Sequence, residues 1–237
     1  MNAIILFPLG IWMCVETLLF TLKTYSRYRI SESLKVLAKG FPHDYSIGGN
    51  GEEIVITAIG DSRLAGQGAK TLKETPLHQL GNILSAEHAV RIINLCEPGE
   101  RLSATLEKLA DIPQETDVLI ISTGSLDSFR CFKPRLYQRQ LDELCAWARH
   151  FPAKRILLLS PSNPRNYPLL PYFARIMLGA LRKRQNVLFT KKFAGTRIQF
   201  IDAFHNAPLD AKHFCADGAH QNAQGYEILM ALVWEHW

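Results

Sequence analysis

The chain has 237 residues, 47% of them hydrophobic and 21% charged, which is enough apolar material for one well-filled α/β domain with an N-terminal extension beside it. A net charge of +5 is too mild to select lipid, acidic substrate or nucleic acid as a neighbour, and no nucleic-acid partner is expected. The five cysteines are odd in number, widely spaced and without a Cys-x-x-Cys pair, which argues against a disulfide framework or a zinc knuckle and for thiols in a reducing compartment.

Residues 3–22 are apolar almost throughout, interrupted by Glu16 and a few small polar residues. That is close to the length a helix needs to cross a bilayer. Lys23, Arg27, Arg29 and Lys35 follow, so a spanning segment would leave the large domain on the cytoplasmic side. Glu16 and the break from Pro8 to Gly10 suit equally a helix lying in the membrane interface or packed on the domain itself. With no Lys or Arg before the apolar run and no small-x-small site after it, a cleaved signal fits less well. Residues 1–40 are therefore expected to be a membrane-associated segment with a basic flank, the domain lying in the cytoplasm, with a periplasmic or extracytoplasmic domain as the alternative. The run 41–53, centred on Gly48-Gly49-Asn50-Gly51, reads as a linker, and 54–237 as the folded domain.

From residue 54 onward, short β-branched apolar runs alternate with longer amphipathic ones. Strands are expected at 54–59, 91–95, 118–122, 156–160 and 198–201, with helices at 72–87, 102–110, 136–150, 172–185 and 223–234. Parallel neighbours need crossover helices, and those helices hide the sheet, so the alternation predicts a three-layer α/β/α fold on a five-stranded parallel sheet. Functional groups in such a fold sit on loops at the carboxyl ends of the strands.

Ser62 leaves the first strand in Gly60-Asp61-Ser62, entering a turn with Gly66 and Gly68. A serine hydroxyl is inert at neutral pH without a base to take its proton. Read alone, Asp61 and Ser62 suit the cap of a following helix equally well. Asp217 and His220, in Asp217-Gly218-Ala219-His220, have the spacing at which a carboxylate fixes one imidazole nitrogen and leaves the other as a general base. They lie beyond the fifth strand, on the same sheet edge as Ser62, and together these residues point to a serine hydrolase site. The Gly66 to Thr71 run lacks a phosphate loop's glycine spacing, and no metal is expected, since His78, His88, His205 and His213 have no ligand spacing and read as solvated or capping residues. Arg182-Lys183-Arg184 with Lys191-Lys192 reads as cations flanking a helix end, and also as groups that could seat the domain on anionic lipid.

The blocks Ile59-Gly60-Asp61-Ser62, Asn94 to Gly99, Gly124 to Asp127, and Asp217 to His220 leading into Ala223-Gln224-Gly225-Tyr226 resemble those of the SGNH hydrolases, the GDSL esterases and lipases, in order and spacing over 54–237. The resemblance implies a flavodoxin-like SGNH fold with no cofactor and no metal. It implies Ser62 as nucleophile, His220 as base, Asp217 as its orienting partner, and the backbone amides of Ser62 and Gly99 as oxyanion donors. The implied activity is an esterase or lipase acting on an ester-containing small molecule or lipid through an acyl-enzyme on Ser62. An acyltransferase of the same chemistry is the first alternative.

The third block departs from the family's Gly-x-Asn-Asp pattern, because Leu126 stands where the asparagine would donate to the oxyanion. Losing one such donor costs about a hundredfold to a thousandfold in turnover. The second alternative, a non-catalytic ligand-binding module, rests on this departure. Ser125, Ser128, Arg130 and Asn163 are the candidates for a substitute donor, and Asp127 is expected to hold a loop through backbone amides instead.

Overall fold

A computed structural model describes residues 15, 18, 27–130 and 134–237. The apolar run at 3–22, apart from Val15 and Leu18, lies outside them, as does Cys131. Among the described residues no helix is long and apolar enough to cross a membrane.

The sheet is built from β1 (Asp44–Ile47), β2 (Glu53–Gly60), β3 (Ala89–Asn94), β4 (Val118–Ser122), β5 (Arg155–Leu159) and β6 (Ile198–Ile201). Their spatial order is β1-β3-β2-β4-β5-β6. Strands β3, β2, β4, β5 and β6 are mutually parallel, as expected. The central strand β4 is buried at every position. This is why it reads as an unbroken apolar run, Val-Leu-Ile-Ile, instead of an alternating one.

The sheet has six strands where five were expected, and the extra one, β1, falls inside the run read as a linker. Its four residues, Asp-Tyr-Ser-Ile, alternate between exposed and half-buried and pair antiparallel with β3, Tyr45 opposite Ile92. So short and polar a strand carries little apolar signal. It is placed by covering the open edge of β3 and by the ion pair of Arg91 with Asp44 at 2.7 Å.

The helices are α1 (residues 27–39), α2 (Pro76–Leu84), α3 (Leu102–Glu107), α4 (Pro134–Ala148), α5 (Tyr172–Phe193), α6 (Ala203–Asn206) and α7 (Ala223–Trp234). Alternate residues of a strand face opposite sides. Ile120 therefore joins Leu77, Leu80, Leu229 and Met230 under α2 and α7, while its neighbours Leu119 and Ile121 join Leu141, Leu144 and Phe189 under α4 and α5. Each fully buried side chain of this kind stabilises the fold by about 1.5–3 kcal/mol.

Helix α5 runs past the expected stop at 185 to Phe193, with Gly195 in a left-handed conformation just beyond. Arg182 thus lies in mid-helix. It shares the buried face with Leu178, Gln185, Phe189 and Phe193, whereas Tyr172, Phe173, Ile176 and Met177 are exposed.

The chain passes from β2 to β3 on one side of the sheet and then to β4 on the other. The point where strand order reverses, the usual ligand crevice of such sheets, therefore lies between the carboxyl ends of β2 and β4. Those ends approach closely because β2 finishes in Gly60 at φ +121°, where a Cβ would collide with the Ser122 carbonyl. The glycine allows the Asp61 amide to bond that carbonyl at 2.8 Å.

Candidate active site

The chain after β2 runs through successive turns, and the first α-helix after Asp61 starts at Pro76, so Asp61 and Ser62 do not cap a helix. Asp61 is buried and accepts from Ser122 Oγ at 2.7 Å and Arg63 Nε at 3.3 Å, while Arg63 also donates to the carbonyls of Ser160 and Leu159. Burial alone would raise the Asp61 pKa, but the Arg63 cation and the hydroxyls of Ser122 and Ser125 hold it below the ordinary carboxylate value. This buried pair anchors the turn and leaves Ser62 half-buried at its tip.

The turn is tied to three other elements. Asn94 Nδ2 at the end of β3 donates to the Leu64 carbonyl at 3.1 Å. Tyr226 of α7 donates to the Gln67 carbonyl at 2.8 Å. Gln67 Nε2 donates to the Ser31 carbonyl of α1 at 3.1 Å. Helix α1 lies N-terminal to the expected domain start, yet it packs against the turn that carries Ser62.

The loop after β3 places Gly99 at φ +87°, a conformation that favours glycine, while the Glu97 amide bonds the Gly60 carbonyl at 2.8 Å. In the loop after β4, Gly124 O accepts from Gln185 Nε2 at 3.0 Å and from Ser128 Oγ at 2.8 Å. Asp127 accepts from the Leu102 amide at 3.0 Å and so joins the second and third loops, the loop-holding role expected of it. Its burial raises its pKa.

In the loop before α7, Asp217 Oδ1 accepts the amides of Ala219 and His220 at 3.0 and 3.1 Å, and Oδ2 lies 2.6 Å from His220 Nδ1. The Asp217 side chain is 1% exposed. Burial would raise its pKa, but the histidine contact and the two backbone amides hold it below the usual carboxylate range. An ionised carboxylate only accepts, which puts the hydrogen on Nδ1 and leaves the lone pair on Nε2.

Ser62, Gly99, Ser125, Leu126, Arg182 and His220 line one cavity of about 360 Å³, with Ser31, Glu32 and Lys35 of α1 at its wall. Asp217 sits behind His220. A second Asp-x-x-His pair, Asp202 with His205 Nδ1 at 2.8 Å, is half exposed and does not line this cavity. His213 caps a turn by accepting the Asp210 amide at 3.0 Å, as the capping expectation has it.

Leu126 is on the cavity wall and 37% exposed. Of the proposed substitute donors, Ser125 bonds Asp61 and Ser128 donates to Gly124 and Gln185, while Asn163 accepts the Arg165 amide through Oδ1 and does not line the cavity. The Arg130 side chain lies outside the described residues. Sequence reasoning passed over Gln185, which pins Gly124, and read Arg182, which reaches the cavity, as a cation flanking a helix end. The signal for both was present in the helical spacing of Leu178, Arg182, Gln185 and Phe189.

Order of strands, switch-point cavity and loop glycines define an SGNH-type α/β fold. The sequence model of the GDSL-like Lipase/Acylhydrolase family matches residues 58–228. The chain belongs to that family, whose members are hydrolases acting on esters. Among solved structures it is similar to the lipase Lip_vut3 from a goat rumen metagenome, with TM-score 0.62, 17% identity, and coverage of 77% of this chain and 96% of that one. It is similar to TesA with TM-score 0.62 and 20% identity over 76% of this chain and 96% of that one. A catalytic mutant of Axe2, an acetylxylan esterase from Geobacillus stearothermophilus, gives TM-score 0.57 and 16% identity over 80% and 94% of the two chains. At these identities the likeness speaks to fold. No relative was found among curated protein sequences.

Proposed function

We propose that the protein hydrolyses a carboxylic ester through an acyl-enzyme on Ser62. The observation that carries this reading is the 2.6 Å contact of His220 Nδ1 with buried Asp217, on a ring that lines the same cavity as Ser62. His220 Nε2 takes the Ser62 proton as Oγ attacks the ester carbonyl. The tetrahedral oxyanion is met by the backbone amides of Ser62 and Gly99. On collapse His220 returns the proton to the leaving alcohol, and it then activates the water that releases the acid. Leu126 leaves the oxyanion with two donors, so turnover is expected about a hundredfold to a thousandfold below that of a three-donor site.

A fluorophosphonate probe tests nucleophile activation without a known substrate. Covalent labelling of the wild type, lost in Ser62→Ala and His220→Ala, is the expected result. A folded wild type that does not label would overturn the reading. Asp217→Asn should keep Ser62 in place and reduce turnover by about four orders of magnitude, because the wrong imidazole tautomer is then favoured.

A further inference from the structure

Two of the carboxylates at the cavity have a cationic partner within the protein. Asp61 pairs with Arg63, and Asp217 with His220. Glu32 and Lys35 of α1 also line the wall, and among the described residues neither forms an ion pair. Arg182 is 5% exposed, and among the described residues no carboxylate forms an ion pair with it. Its Nη1 donates to the Ser162 carbonyl at 2.7 Å and Tyr167 Oη at 3.0 Å, with the guanidinium 5.1 Å from the Tyr167 ring centroid. Its Nε is buried with no acceptor, and among the described residues no hydrogen bond engages Nη2.

A guanidinium is never neutralised by losing its proton, so an uncompensated buried arginine persists only at considerable cost. The Nε–Nη2 edge has no acceptor of its own among the described residues and carries two parallel N–H groups, the fork that a planar carboxylate accepts. Around it the cavity wall is apolar, formed by Leu169, Leu170 and Leu178.

We infer that Arg182 is the binding site for a carboxylate carried by the substrate, so that the ester preferred by this cavity is one bearing a single free carboxylate beyond a short apolar spacer. The single charge of the Arg182 guanidinium suits one negative charge, which favours a carboxylate over a doubly charged phosphate monoester. A cavity of about 360 Å³ is of the size that takes a small-molecule ester such as a short diacid monoester. The inference rests on the ester-hydrolase reading for its choice of substrate. The anion site itself does not.

The test uses the full chain and two para-nitrophenyl esters of matched length, the anionic hemiglutarate and the neutral valerate. Wild type should show kcat/KM about tenfold or more higher on the hemiglutarate, the scale of one charge-assisted hydrogen-bond pair. Arg182→Gln should abolish that preference, chiefly through KM on the hemiglutarate. Arg182→Lys, which keeps the charge and the long stem, should restore part of the preference even if the glutamine variant folds poorly.

Binding is read separately on Ser62→Ala by calorimetry with the amides N-butylglutaramate and N-butylpentanamide. The glutaramate should bind at least about tenfold more tightly, and Arg182→Gln added to Ser62→Ala should erase the difference. Glutaramate binding through Arg182 in a protein whose wild type resists the fluorophosphonate would uphold the anion site and remove the hydrolase reading. Labelling of Ser62 with no preference for the anionic ester, and equal binding of the two amides, would overturn the anion site and leave the hydrolase standing.

Discussion

Two buried arginines line the cavity, and they are held in opposite ways. Arg63 is closed: its guanidinium meets Asp61 and two carbonyls at the ends of the chain leaving β5. Arg182 is open, with a carbonyl and a phenol on one nitrogen and no carboxylate paired with it among the described residues. The same side chain at similar burial therefore serves two purposes. Arg63 fixes the shape of the turn that carries Ser62, and Arg182 keeps a charge in reserve for what enters.

The largest way to break this contrast is Arg63→Met. It strands the Asp61 carboxylate in the interior and should lower stability by about 3–5 kcal/mol, seen as a fall in the urea midpoint. An equal loss in Arg182→Met would show that Arg182 is as structural as Arg63. The expected loss there is less than about 2 kcal/mol, since the two hydrogen bonds that disappear are offset by removal of an unmatched buried charge.

The smallest effect is in acid. Asp61 and Asp217 are both held below their ordinary carboxylate value, so their folded pKa lies below the unfolded one. Their contribution to stability is complete above the unfolded value of about 3.9 and drains away as pH falls through the lower folded value. Asp61→Asn should thus flatten the acid limb of a stability-against-pH curve relative to wild type. Arg182→Met should leave the slope of that limb unchanged.

Much of this organisation was legible in the chain. Strands β4 and β6 and helix α7 fall where the apolar pattern places them, because buried apolar strands and an apolar terminal helix announce themselves in composition. Asp217 and His220 were legible for another reason: their contact is local, three residues apart, and a Gly-Ala pair between them permits the turn.

What sequence could not give were contacts between distant segments. Strand β1 is defined by its partner β3 and by Arg91, not by its own residues. The open state of Arg182 depends on which acceptors the Ser160 to Tyr167 stretch happens to offer. The first half of α5 turns apolar side chains outward and its middle turns an arginine inward, the reverse of the pattern that separates core from surface. In basic company, Arg182 looked like a cation at a helix end.

Helix α1 has a practical consequence for anyone who prepares this protein. The apolar stretch ahead of it invites trimming, and the sequence offers residue 40 as the natural place to cut. A protein shortened there would lack Ser31, Glu32 and Lys35 from its cavity wall and the grip of Ser31 on Gln67. Any ligand survey of it would describe a cavity that the intact chain does not have.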